Sequence, residues 1–572
     1  MDMPINIITS DSMLTDIEHH FRVSAGPGAG KTHWLVEHIK NVLHRSERLG
    51  ITRKIACITY TNIAVETIQN RLGISADQVE VSTIHSFLYK HIVKPYASFI
   101  AMEYGLNIED MDGHDDTILS NYSFLKEWKK KTNQPWIRRD NEIVSAISKA
   151  KWKFQERELI FRPNYPMKAD GYPIRSDSYY EYKKMTWEKG ILHHEDVLFF
   201  SYQLIRKYPL ILKVLRAKFP YFFVDEFQDT NPIQAEILHQ IGQNETVVGL
   251  IGDAAQSIYS FQGADPEKFM TFNLPAIYDY QIEWNRRSTN NIIQILNGIR
   301  LDIQQISPND EIGDQPTIIV GEMNDSLRWS IDECGDEKVC SLSRANITSN
   351  AMKREINGSL FKDELFEELQ DTDKSSSQNG YRSKVIIACI KATELARQSK
   401  FKDAIKELEN VFKERTDKTR GKREALKHIQ TLLKKYDNYK NESLYGFFLI
   451  VKADIKNNIS DLRSGRAKTF YERHTYLQLS LCVRIVEDTS QHKTIHKAKG
   501  DEFENVLLIL TEEDKLAFLL TPDLTGTNKE AEEQRINYVA ISRAKKRLFI
   551  SVPSLQANNK AMLSSKFRIK IL

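Results

Sequence analysis

The chain has 572 residues, more than a single hydrophobic core accommodates, and its length predicts three or four domains. A hydrophobic fraction of 41% and a charged fraction of 27% are those of a globular protein, and no apolar run is long enough to cross a bilayer, which excludes a helical membrane protein. With a net charge of only +3, bulk charge barely argues for nucleic acid, and five scattered cysteines suit a reducing, cytoplasmic compartment rather than a zinc ribbon, an iron–sulfur cluster or a disulfide frame.

The first stretch reads as α/β. Phe21-Arg22-Val23 reads as a strand and Trp34-Leu35-Val36-Glu37-His38-Ile39 as a helix, with Ala25-Gly26-Pro27-Gly28-Ala29-Gly30-Lys31-Thr32 between them. Glycines such as Gly28 and Gly30, between a strand and a helix N-terminus, let backbone N–H groups turn toward phosphate oxygens. Lys31 adds a point charge over the outer phosphates, and the Thr32 hydroxyl can reach Mg²⁺. The first glycine of the plain nucleotide loop is Ala25 here, and taken alone the stretch also fits a Gly-rich turn of an unrelated fold. Ile55-Ala56-Cys57-Ile58-Thr59-Tyr60 reads as a buried parallel strand ended by Thr61-Asn62, with a helix over 64–72 and a further strand over Val79–Thr83. His85, just beyond, reads by itself as a satisfied turn or core histidine.

Residues 91–190 lose this rhythm, with breaks near Pro135, Pro163-Asn164-Tyr165-Pro166 and Gly171-Tyr172-Pro173, which predicts an inserted subdomain. Within 126–189 there are 16 Lys/Arg against 9 Asp/Glu, interleaved with Trp128, Trp136, Trp152, Phe154, Tyr165, Tyr179, Tyr180 and Trp187. Basic residues mixed with aromatics suit a strand-binding surface, and equally a small domain whose aromatics form its core. The α/β pattern resumes with a helix through 213–217 and the strand Tyr221-Phe222-Phe223-Val224.

That strand runs into Asp225-Glu226-Phe227-Gln228-Asp229-Thr230, placing carboxylates where open α/β sheets bind ligands. In that position Asp225 would hold Mg²⁺, directly or through water, and Glu226 would orient and deprotonate the attacking water. A lone Asp-Glu would read as an acidic helix start capping its own N–H groups; paired with the upstream glycine loop it reads as the second half of a nucleotide site. The next strand, 246–251, leads to Gln256, whose amide can sense a γ-phosphate or its attacking water. Tyr259 and Phe261 follow closely enough to carry that information to a stacked base.

A second α/β unit opens after Asn285-Arg286-Arg287-Ser288, with strands at 316–320 and 339–342. From about 346 to 485 the pattern turns helical and polar, and 391–440 carries 15 Lys/Arg against 8 Asp/Glu, which solvated helix faces largely explain. The core pattern returns at 494–503, with strands at 506–510 and, closing the unit, 548–552. Arg543 is the candidate arginine finger of this second lobe.

The order of segments resembles the superfamily 1A helicases of the UvrD/Rep/PcrA type. It comprises AGPGAGKT at 25–32, TYTNIAVETI at 59–68, STIHSF at 82–87, DEFQDTN at 225–231, GDAAQSIYSFQGA at 252–264, NRRS at 285–288, TIHKAKGDEFENV at 494–506 and YVAISRAKK at 538–546. The resemblance implies two RecA-like P-loop motor lobes, each interrupted by an inserted mainly helical subdomain, with ATP in the interlobe cleft. The first lobe would span 1–90 and 191–280 around an insertion at 91–190, and the second 281–345 and 486–572 around a reduced insertion at 346–485. It implies ATP and Mg²⁺ at Gly28, Gly30, Lys31, Thr32, Asp225 and Glu226. Gln256, Arg287 and Arg543 would read the γ-phosphate, and Glu502 the ribose side. Tyr60, Asn62, His85, Tyr259, Phe261 and His496 would contact single-stranded or partly duplex DNA, along which the family moves 3′→5′.

Three departures stand out. Arg286 replaces a tyrosine expected to stack on adenine, though a guanidinium plane can also stack on a base. The glutamine motif expected before the glycine loop is missing, and Asp501 replaces a leucine beside Glu502. The second insertion, about 140 residues, is shorter than in full-length replication and repair members, and a compact member of this kind resembles the helicase-like subunit of Gabija antiphage systems in size and overall appearance. That likeness implies an OLD-family ATPase–nuclease partner and a role in antiphage defence, with DNA repair as the other setting; the short second insertion and Arg286 point to an alternative role as a DNA- or nucleotide-sensing regulatory ATPase subunit of a nuclease complex.

Overall fold

A computed structural model describes residues 5–111, 118–119, 121–357, 364–373, 380–412, 418–485 and 490–572; the expected boundary at 486 lies outside these. The chain forms two compact units. One comprises Met1–Arg287, Arg300–Asp310 and Asp523–Arg535, and the other Ser288–Ile299, Glu311–Pro522 and Ile536–Leu572.

The first unit is built on a seven-stranded sheet in the order Asn6–Ile8, Tyr278–Ile282, Phe21–Ala25, Val247–Gly252, Tyr221–Val224, Ile55–Thr59, Val79–Thr83. Every pairing is parallel. The central strands are apolar at consecutive positions because both faces are covered. Side chains alternate between faces: Ile55, Cys57, Tyr221 and Phe223 join one core, while Ala56, Ile58, Phe222 and Val224 join the other. Each such large apolar side chain, fully buried, contributes about 1.5–3 kcal/mol.

The second of these cores continues without a break into the inserted segment. Trp128, Trp152, Tyr179 and Trp187 are buried in it, so most of the interleaved aromatics are core rather than strand-binding surface. Trp136 and Tyr165 are the exposed exceptions. The segment is more than helices. An antiparallel hairpin, Lys151–Gln155 with Glu158–Arg162, pairs Trp152 with Phe161 on its buried face. Asp196 pins that face, accepting from the Trp152 and Trp187 indoles and from buried Lys183.

The second unit carries a six-stranded parallel sheet in the order His492–Thr494, Val339–Ser343, Phe503–Ile509, Ala544–Val552, Thr317–Val320, Arg568–Ile571. The strand expected to close this unit is therefore interior: Ala544–Val552 lies between two neighbours, and the edge is Arg568–Ile571. The short, charged Arg-Ile-Lys-Ile repeat carries only a weak apolar signal, which is why periodicity overlooks it. The helices between 365 and 485 enclose a core of their own. Its middle helix, Tyr381–Arg397, is buried on almost all sides, so this region is less polar in its interior than its overall charge suggests.

Candidate functional site

The strand Phe21–Ala25 sits between two neighbours in the middle of its sheet. Ala25 pairs with Ile282 as the strand's last residue. Its backbone is extended there, so the alanine in place of a first glycine costs nothing. The true glycine requirements come next. Gly28 and Gly30 have φ of +73° and +82°, and a β-carbon on Gly28 would lie 2.3 Å from Asn285 Oδ1. Helix Lys31–Arg45 then starts directly from Gly30, aiming its unpaired first-turn N–H groups and the positive end of its dipole at the loop. The Lys31 ammonium folds back on the loop, donating to the carbonyls of Ala25 (3.2 Å) and Gly26 (3.4 Å).

Asp225 emerges from the buried strand Tyr221–Val224. Its N–H donates to Ile58 O at 2.8 Å, which holds it against the neighbouring strand. Burial, reinforced by the adjacent Glu226 charge, raises the Asp225 pKa, while Lys31 and a hydrogen bond from Thr32 oppose the rise. Thr32, at the start of the helix after the glycine loop, thus lies close enough to act on the Asp225 carboxylate. A threonine hydroxyl beside a carboxylate is a hard-oxygen donor set suited to Mg²⁺. Glu226 occupies the left-handed region at φ +54°, unusual for a non-glycine residue and a conformation that clusters at active sites.

The Gln228 amide, fully buried, donates to Glu226 Oε2 and accepts from the Asp253 N–H at 3.0 Å. Asp253 follows the adjacent strand, Val247–Gly252, and caps the turn after it, accepting from Ala255 N–H at 3.1 Å. Gln256 donates its Nε2 to the same carboxylate at 2.6 Å. Arg300, in the segment that returns to this unit, also holds Asp253 and pairs with Asp302 at 2.6 Å. A few residues on, Gln305 donates to Pro27 O at 2.9 Å and accepts from Asn285 Nδ2 at 3.3 Å. Arg535 donates to Ser257 O at 2.8 Å.

Arg286 and Arg287 flank the loop. The Arg286 N–H donates to Gly28 O at 2.9 Å, and a β-carbon on Gly28 would approach Arg287 Cβ to 2.8 Å. The Arg286 guanidinium lies over Trp284, 4.9 Å from the ring centroid, and pairs with Asp11, whose other oxygen is 3.4 Å from His33 Nε2.

The aromatic candidates also meet. Tyr60, just past its strand, stacks on Tyr259 at 4.9 Å and 20°, and Phe261 follows at 5.9 Å, with 58% of its surface exposed. Asn62 opens helix Asn62–Leu72, capped by Thr61, whose hydroxyl accepts from Ala64 N–H at 3.2 Å. A small pocket is lined by Thr59, Tyr60, Asp225 and Glu226 and bounded by Thr230 and Gln234. His85, on the short helix Ile84–Leu88, lies 4.0 Å from the His194 ring, and burial pushes its pKa down to about 3.

The remaining candidates belong to the second unit. Arg543 is buried, donating to Val539 O at 3.1 Å and to the Ser542 hydroxyl at 2.9 Å. Glu502 pairs with Lys545 at 2.9 Å, and Asp501 with Lys493 at 2.9 Å. His496 lies in the turn after the strand His492–Thr494.

Sequence reasoning quoted Gln228 and Asn285 inside motifs without giving them work, and it missed Arg300, Gln305 and Arg535. The first two had a signal in their motif positions. Arg300 and Gln305 had none, being isolated polar residues after an ordinary helix.

Residues 9–276 match the sequence model of the UvrD/REP helicase N-terminal domain and residues 360–554 that of the UvrD-like helicase C-terminal domain, together most of the chain. The chain is 25% identical to the Gabija protein GajB of Bacillus cereus, over 92% of each. It is 24% identical to the putative ATP-dependent DNA helicase YjcD of Bacillus subtilis, over 97% of this chain and 79% of that one. Over 48% of this chain and 36% of the relative, it is 29% identical to the ATP-dependent DNA helicase PcrA of Bacillus subtilis. Among the described residues, no helix is long and apolar enough to cross a membrane.

Proposed function

Because the chain belongs to the UvrD/Rep family of ATP-dependent helicases, we propose that it hydrolyses ATP in response to single-stranded DNA and uses the cycle to move 3′→5′ along the strand, opening duplex ahead of it. The observation that carries this reading is the connected path inside the first unit. Asp225 and Glu226 line one pocket with Tyr60, Glu226 is tied through Gln228 to Asp253, and the loop after Asp253 bears the Tyr259 ring stacked on Tyr60. Hydrolytic groups and base-sized aromatic faces share one short stretch of structure.

In this reading the loop N–H groups and Lys31 bind the β- and γ-phosphates, which requires the ammonium to leave the two carbonyls it now occupies. Mg²⁺, held by Thr32 and Asp225, would supply charge neutralisation at the phosphate oxygens. Glu226 takes the proton of the attacking water, and Gln256 orients that water. Arg287, beside Gly28, meets the γ-phosphate charge, and Arg543 is assigned the finger role by its motif. Arg286 faces the base with a guanidinium plane, and Glu502 serves the ribose side. Tyr60, Tyr259 and Phe261 stack on DNA bases, with Asn62, His85 and His496 at the strand.

Steady-state ATPase assays with and without single-stranded DNA test the reading. Lys31→Ala and Glu226→Gln abolish the stimulated rate, and variants matching the unmodified protein overturn it. Arrival times at 3′- and 5′-labelled strand ends test direction.

A second reading has its own support, the similarity to a Gabija protein over 92% of both chains. Here the ATPase acts in antiphage defence as the regulatory subunit of a complex with an OLD-family ATPase–nuclease, and unwinds little by itself. Robust unwinding of a 3′-tailed duplex by the isolated chain counts against it; copurification with a nuclease supports it.

A further inference from the structure

We infer that Gln228 is a positioning residue for hydrolysis: its side-chain amide orients Glu226 from a fixed point on the Asp253 loop. The inference rests on the hydrolytic role proposed for Glu226.

Gln228 is fully buried, and its two polar ends do different jobs. The carbonyl end accepts from Asp253 N–H at 3.0 Å, and the amino end donates to Glu226 Oε2. The Asp253 end is rigid. Its carboxylate is braced by Gln256 at 2.6 Å and by Arg300 at 2.8 and 3.0 Å, and the Ser257 hydroxyl donates to Gln228's own main-chain carbonyl at 3.0 Å. The seat is also shaped for this side chain, since a β-carbon on Gly252 would stand 2.5 Å from Gln228 Oε1. Glu226 itself sits in the left-handed region, at φ +54°. A buried amide can accept at one end and donate at the other, which a carboxylate at neutral pH cannot. Because Asp253 leads into the loop bearing Tyr259 and Phe261, the amide that aims Glu226 is anchored on the same segment as the aromatics that would meet a base.

The test uses the full-length chain. Gln228→Met keeps length and volume and removes both amide bonds. Gln228→Glu keeps the acceptor for Asp253 N–H and replaces the donor to Glu226 with a second buried carboxylate, so the two repel or share a proton. Both should lower the DNA-stimulated kcat at least tenfold with the KM for ATP within twofold, and the stimulated rate should fall further than the basal one. A folded Gln228→Met with kcat within twofold overturns the proposal. So does a loss in which kcat, KM and melting temperature deteriorate together, the mark of a purely structural role. If both variants misfold, Gly252→Ala leaves the amide intact but crowds its oxygen, and the same kcat-only loss is expected; unchanged kcat there also overturns it. If the unmodified protein shows no ATPase activity, the failure lies with the function proposed above and not with Gln228.

Discussion

The guanidinium of Arg300 donates to both oxygens of Asp253, at 2.8 and 3.0 Å, with both side chains withdrawn from solvent. Forty-seven residues separate the two, and the bond ties the segment after one helix to the loop that carries Gln256. Breaking a buried pair from one side strands the other charge, at a cost of about 3–5 kcal/mol. Arg300→Met should therefore lower the first thermal unfolding transition markedly. The double variant with Asp253→Asn should lose less than the two single losses summed, as calorimetry would show; strict additivity would mean the pair is not coupled.

Tyr259→Ala should weaken single-stranded DNA binding by about 1–3 kcal/mol, the usual worth of one base stacked on an aromatic face. ATP affinity in the absence of DNA should stay within twofold, since the ring stacks on Tyr60 and contributes no phosphate ligand. Fluorescence anisotropy with a labelled oligonucleotide reads the first quantity and nucleotide titration the second.

Gly28→Ala should abolish tight nucleotide binding. The φ of +73° is strained for alanine, and the new methyl would overlap Asn285 Oδ1 at 2.3 Å, so the loop must open to admit it. Equilibrium binding of a fluorescent ATP analogue should weaken at least tenfold while the melting temperature of the free protein changes little by comparison.

His38 predicts an acid-sensitive term in stability. Its ring is buried against Trp34, 5.0 Å away and nearly parallel, with neither nitrogen hydrogen-bonded, and burial pushes its pKa down to about 3. The unfolded chain takes up a proton near pH 6.5, so above that pH the histidine is neutral in both states and exacts no penalty. As pH falls from 6.5 toward 3 only the unfolded state is protonated, and stability is lost at about 1.4 kcal/mol per pH unit. His38→Phe should flatten the fall in melting temperature between pH 6.5 and 4.5; a parallel curve for both proteins would refute the assignment.

The residues alone were enough to pick out the glycine turn between strand and helix, the strand that ends at Asp225-Glu226 and the other central strands, because each depends on neighbours along the chain. Gly28 and Gly30 mark positive φ where they stand, and Tyr221-Phe222-Phe223-Val224 is apolar at every position because a parallel strand is covered on both faces. Packing decided what composition had left even. Trp128, Trp152 and Trp187 could have been a DNA surface until burial in one core with Phe222 assigned them to the interior. The bracing of the site was settled at the tertiary level too. Gln305 reaches Pro27 from 278 residues away, and Arg535 reaches Ser257 across the same separation. No local periodicity records such partners; they meet because a parallel sheet delivers the ends of distant strands to one edge, where a single buried arginine or amide can hold several loops at once.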